Sequence, residues 1–174
     1  MISIGDSFKL SNIEKEIINL IAFKRQENKE KSNLDGKGQA NYKKGLYNNK
    51  LGFAGEFLFC KGFNLFPDFE ICNTSKIKKT DTGDAIINNK TVDVKTSCNS
   101  NYLMTPSYSK SNIDLFAKFY LDKENKKFIF QGFASNQMLF NSINLKYKTE
   151  KYLTVDSYVL NTNQLLNYNQ IINK

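Results

Sequence analysis

The dipeptide Asn88-Asn89 separates two short segments that favour strands, Ala85-Ile86-Ile87 and Thr91 to Thr96. Asparagine tolerates the positive φ that a two-residue hairpin turn demands. The return segment is rich in β-branched residues, which suits a strand. A two-residue turn leaves the hairpin no choice of register. Ile87 must face Lys90, and the same pairing carried outward sets Asp84 opposite Asp93. A three-residue turn would slip that pairing by one. Directly opposed residues carry Cβ atoms about 4.5–5.5 Å apart on one face. Side chains alternate along a strand, so Asp93 and Lys95 share this face while Val92 and Val94 point the other way. The turn therefore predicts two carboxylates and an ammonium gathered on one side of a sheet.

Opposed like charges destabilise a sheet unless something compensates. A hard divalent cation would do so, and Mg²⁺ is commonly held by one or two carboxylates together with a substrate phosphate. A surface hairpin with solvated charges is the competing reading, and the hairpin alone does not choose between them. Glu56 brings a third acid into consideration. It lies among Leu51, Phe53, Ala54, Phe57, Leu58 and Phe59, a stretch apolar nearly all round, which predicts a buried helix over 43–62. A buried carboxylate is costly unless paired or bound to metal. Gly52 and Gly55 lower helix propensity but permit close approach of a neighbouring strand or helix.

The 174 residues suffice for one domain with a substantial core. The net charge of +8 favours an anionic partner such as nucleic acid. Abundant lysine and asparagine, with Arg25 the sole arginine, also suggest AT-rich coding as a partial cause. The chain has no histidine, which excludes histidine zinc sites, Ser-His-Asp triads and histidine general bases. Cys60, Cys72 and Cys98 are widely spaced and predict buried free thiols in a reducing compartment. No basic start leads into an apolar leader, and no apolar run has the length of a membrane span. A cytoplasmic protein is expected.

Ser11-Asn12-Ile13-Glu14 has the form of a capping box, and Ile13, Ile17, Leu20 and Ile21 follow at helical spacing. A first helix over 12–28 is expected, with Arg25 on its solvated, charged end, where it could reach a phosphate or serve as an ordinary surface charge. Phe69 to Cys72 predicts a short strand. Lys76, Lys78 and Lys79 lie in a basic loop leading into the hairpin. Ser97 to Ser111 reads as a loop in which Tyr102, Tyr108 and Lys110 could touch nucleic acid, or as an ordinary exposed loop. Strands over 115–121 and 127–133 form a second hairpin. Ser135 caps a short helix through Phe140, Tyr152 to Val159 reads as a late strand or an extended segment, and Asn161 or Thr162 starts a final helix. No repeat or linker divides the chain. A single domain over 1–174 is expected, with its core at about 45–140 and an extension over 141–174.

A helix with Glu56, a strand opening at Gly83-Asp84, a turn, and Val92-Asp93-Val94-Lys95 stand in an order that resembles the PD-(D/E)XK nuclease superfamily. The resemblance spans roughly residues 45–140, and small phage-encoded members have a similar size and layout. Gly83 stands where the family carries proline, while the literal Pro67-Asp68 comes earlier, where nothing in the sequence aligns Asp68 with Asp93. The resemblance implies an α/β (α+β) fold with a restriction-endonuclease-like core, a mixed sheet flanked by helices. It implies a Mg²⁺-dependent deoxyribonuclease, with Mn²⁺ as a substitute. Asp84 and Asp93 would bind the metal with the main-chain carbonyl of Val94. Lys95 would orient or activate water, and Glu56 would complete the site at a second metal. The implied partner is DNA, with a homodimer expected where two strands are cut, in the host cytoplasm for a phage-encoded member. A non-cleaving DNA-binding protein of the same fold, or a structural or regulatory partner protein, are the alternatives.

Overall fold

Ser11 opens the first helix as its sequence requires. The Ser11 amide donates to Glu14 Oε2 at 2.7 Å, and the Glu14 amide donates to Ser11 Oγ at 3.3 Å. These reciprocal bonds satisfy two amides that a helix start would otherwise leave unpaired. The computed structural model describes residues 2–31, 39–69, 71, 83–109, 112–149 and 154–172. The first helix, α1, covers Asn12–Lys31, and α2 covers Gln39–Gly62. Both run slightly beyond the expected bounds.

A short strand β1 (Ser7–Phe8) precedes them, and six of the remaining strands follow α2 in pairs. These are β2 (Ala85–Ile87) with β3 (Lys90–Ser97), β5 (Leu115–Asp122) with β6 (Lys127–Ser135), and β4 (Tyr102–Pro106) with β8 (Ser157–Asn161). Strand β7 (Leu145–Lys146) adds to β8. The main sheet has the order β1-β6-β5-β3-β2 and a smaller sheet has the order β4-β8-β7. All main-sheet pairs are antiparallel except β3 with β5, so the sheet is mixed. Short helices α3 (Asn136–Leu139) and α4 (Tyr168–Ile172) complete a mixed α and β architecture.

Alternation along the strands separates two cores. Val92, Val94, Ala117, Phe119, Phe130 and Phe133 face α2 and α4, packing with Phe53, Leu58, Phe59, Tyr168 and Ile171. Phe116 and Ala134 face the other way, onto Leu103 and Leu160 of the smaller sheet and Leu139 of α3. Gly55 is where α2 comes closest to β3, since a Cβ there would collide with Thr96 Oγ1. Burying these faces is the main source of stability, at roughly 25 cal/mol per Å² of apolar surface removed from water. No helix among the described residues is long and apolar enough to cross a membrane.

Several expectations need correction. The segment Ser97 to Ser111 is not a plain loop, because Tyr102–Pro106 pairs with β8 and buries Leu103 and Thr105. Phe69 and Ile71 lie outside any strand, and Glu70 and Cys72 fall outside the described residues. The late strand covers Ser157–Asn161, with residues 154–156 ahead of it outside any strand, and Tyr152 lies outside the described residues. Asn161 caps only a 3-10 turn over Thr162–Gln164, and the final helix waits until Tyr168. Cys60 is buried, but Cys98 is exposed.

Candidate active site

The hairpin has the register that its turn dictates. Ala85 pairs with Val92, Ile86 with Thr91 and Ile87 with Lys90. Asn88 and Asn89 take φ of 47° and 61°, the doubly positive pattern of a tight hairpin turn. Asp84 stands one step beyond β2. Its amide donates to the Val92 carbonyl at 2.7 Å, and its Oδ2 accepts from the Val94 amide at 2.7 Å. The carboxylate thus fills the place that the carbonyl of a longer β2 would have taken. A strand residue directs its amide and carbonyl to the same edge, so the Val94 carbonyl faces this edge too. Gly83 has φ +77°, and a Cβ there would lie 2.8 Å from the Val92 carbonyl oxygen. Proline, fixed near φ −65°, is excluded at that position.

Asp93 is 8% exposed, on the face away from α2. Lys95 Nζ meets Asp93 Oδ2 at 2.6 Å. Glu56 projects from α2 and is ion-paired with Arg25 Nη1 at 3.0 Å. Arg25 also donates from Nη2 to the Asp68 carbonyl at 3.1 Å, and its guanidinium lies 4.7 Å from the centre of the Phe53 ring. Arg25 is therefore no solvated surface charge, which corrects the expectation for the end of α1. The literal Pro-Asp pair lies close by, but Asp68 meets Arg25 through its main chain.

Burial first, and neighbouring charge after it, act on Asp84 and Glu56. Burial raises the Asp84 carboxyl to about 8, and the charges of Glu56 and Asp93 push the same way against the Val94 amide and Lys95. Burial also raises Glu56; Arg25 opposes this, while Asp93 and Asp68 add to it. The Cys60 thiol is pushed up to about 11 by burial and then by the charges of Asp84, Glu56 and Asp68. Glu56, Asp84 and Asp93 thus occupy one electrostatic neighbourhood.

Among the described residues, no three acidic or sulfur side chains stand together so that they could hold a metal ion. Two of the three acids instead hold cations, Glu56 through Arg25 and Asp93 through Lys95. The donor chemistry nevertheless fits Mg²⁺, for the carboxylates and the Val94 carbonyl are all hard oxygens. A buried carboxyl kept protonated by neighbouring acids is a group that a divalent cation would relieve.

The ion pair of Arg25 with Glu56 was not expected, and one candidate escaped the sequence reading altogether. It is Lys118, the register neighbour of Lys95 on β5, which is 1% exposed. It donates to Ser97 Oγ, and burial lowers its amine to about 8. Its place after Phe116 and Ala117 carries no mark of function, though a lysine alternating with apolar residues in a central strand signals burial. Tyr102 opens β4 opposite Asn161, and Tyr108 is exposed in the following turn. Lys76, Lys78, Lys79 and Lys110 lie outside the described residues. Comparison with protein-family models, curated proteins and solved structures gives no match.

Proposed function

We propose that the chain is a metal-dependent nuclease with a restriction-endonuclease-like core, hydrolysing DNA phosphodiester bonds as an endonuclease. The observation that carries this reading is Asp84, bonded to the Val94 amide at the edge of the strand that bears Asp93 and Lys95, with Glu56 on the neighbouring α2. Asp84, Asp93 and the Val94 carbonyl would hold Mg²⁺, as the resemblance implies. A bound Mg²⁺ supplies Lewis-acid stabilisation of phosphate charge and activation of water. Lys95 lies beside Asp93, where its ammonium can offset phosphate charge or orient the attacking water. Glu56 holds Arg25 at the rim of the same cluster, so positive charge also stands on the α2 side. The net charge of +8 supports association with a polyanion. A cytoplasmic setting and homodimerisation belong to the same reading.

The test is incubation of the purified protein with plasmid, linear and branched DNA, and with structured RNA, in Mg²⁺ or EDTA. Cutting that requires Mg²⁺ is expected on DNA. Asp84→Asn, Asp93→Asn and Lys95→Ala should each slow it by about 100-fold or more, with DNA affinity retained in a gel-shift assay. Failure of the metal-loaded protein to cut any substrate would overturn the nuclease reading. A non-cleaving DNA-binding protein is the second reading. It is favoured by the lysine and arginine that already engage Asp93 and Glu56.

A further inference from the structure

The sole arginine of the chain belongs to the acid cluster. Among the described residues, its guanidinium meets the Glu56 carboxylate, the Asp68 carbonyl and the face of Phe53. Such a planar, delocalised cation is well suited to a partly buried ion pair, and the aromatic face adds to its hold. It comes from α1, whereas the metal-ligating candidates come from the hairpin. The cluster is therefore closed by an element that the hairpin alignment does not involve.

Charge balance gives this placement a meaning. Among the described residues, Arg25 holds Glu56 and Lys95 holds Asp93. The Glu56 carboxylate is thus already neutralised by a fixed cation. A second divalent ion at Glu56 would have to displace Arg25.

We propose that Arg25 takes the place of a second metal, reserving Glu56 as its counter-ion and leaving Asp84, Asp93 and the Val94 carbonyl to a single divalent ion. This rests on the metal-dependent reading above. Glu56 then acts as a positioning residue for Arg25 rather than as a ligand. The guanidinium supplies fixed positive charge on the α2 side of the site, where an exchangeable ion would otherwise be needed.

Mn²⁺ titration of the full chain tests this, by calorimetry and by electron paramagnetic resonance of unbound Mn²⁺. The wild type should bind one ion. Glu56→Gln should still bind one, with affinity changed by less than about tenfold, and Arg25→Lys should also keep one. Arg25→Gln should admit a second ion, its folding being checked by circular dichroism. Two ions on the wild type would overturn the proposal while the metal-dependent reading stood. So would a larger loss of affinity in Glu56→Gln. No ion on the wild type would overturn both. If Arg25→Gln does not fold, the wild-type count and the Glu56→Gln affinity decide.

Discussion

Asp84 is the residue on which burial, hydrogen bonding and charge converge. Its carboxyl, ordinarily near 3.8, is raised to about 8 by burial and by Glu56 and Asp93. A group whose folded value is raised contributes stability that is present below its unfolded value and lost as pH rises through the folded one. The metal-free protein should therefore lose thermal stability from this group between pH 3.8 and about 8. Asp84→Asn should flatten that slope in melts recorded across the range. A cation must displace the same proton, so Mg²⁺ affinity should rise with pH until about 8 and then level off, as calorimetry can measure. The register of Ala85 to Ile87 on β3 was legible in the sequence because a two-residue turn reduces it to counting, and it leaves Asp84 at the edge of the strand that bears Asp93. Arg25 was not legible. Its contact with Glu56 joins two helices across 31 positions, and no local periodicity encodes where a long side chain will land.

Among the elements, the hairpin from β2 to β3 converts turn length into site geometry. Inserting one glycine between Asn88 and Asn89 should move Asp84 out of line with Asp93. The expected result is loss of Mg²⁺-dependent cutting, retained far-UV circular dichroism, and destabilisation of about 1–3 kcal/mol in urea. Unchanged cutting in the insertion variant would mean that the hairpin alignment does not build the site. The strands β3, β5 and β6 were readable from dense apolar and β-branched runs, and α1 from its capping box. Strand β4 was obscured by flanking Ser, Asn and Tyr. Its partner β8 lies more than 50 residues later, with Tyr102 paired to Asn161, so pairing overrides a weak local preference. The final helix was expected too early because Asn161 does cap a turn, but that turn ends as 3-10 at Gln164.

At the level of the whole molecule, residues late in the chain complete both cores. Leu166 pairs with Phe133 through an isolated bridge, and the Tyr168 ring lies 5.4 Å from Phe63 and 5.9 Å from Phe133. Tyr168 is 5% exposed, so Tyr168→Ala should cost about 3 kcal/mol in denaturant unfolding. The mixed sheet was expected only through the resemblance, since the two hairpins by themselves give antiparallel pairs. The parallel pairing of β3 with β5 was not itself legible, because the connection between them runs out into a second sheet before returning. This late closure has a consequence for how the protein is made. On the ribosome, the acid-bearing ribbon emerges well before Tyr168 and Ile171, whose burial seals the layer behind it. The apolar layer that Tyr168 and Ile171 complete therefore stays unfinished until translation has passed Ile171.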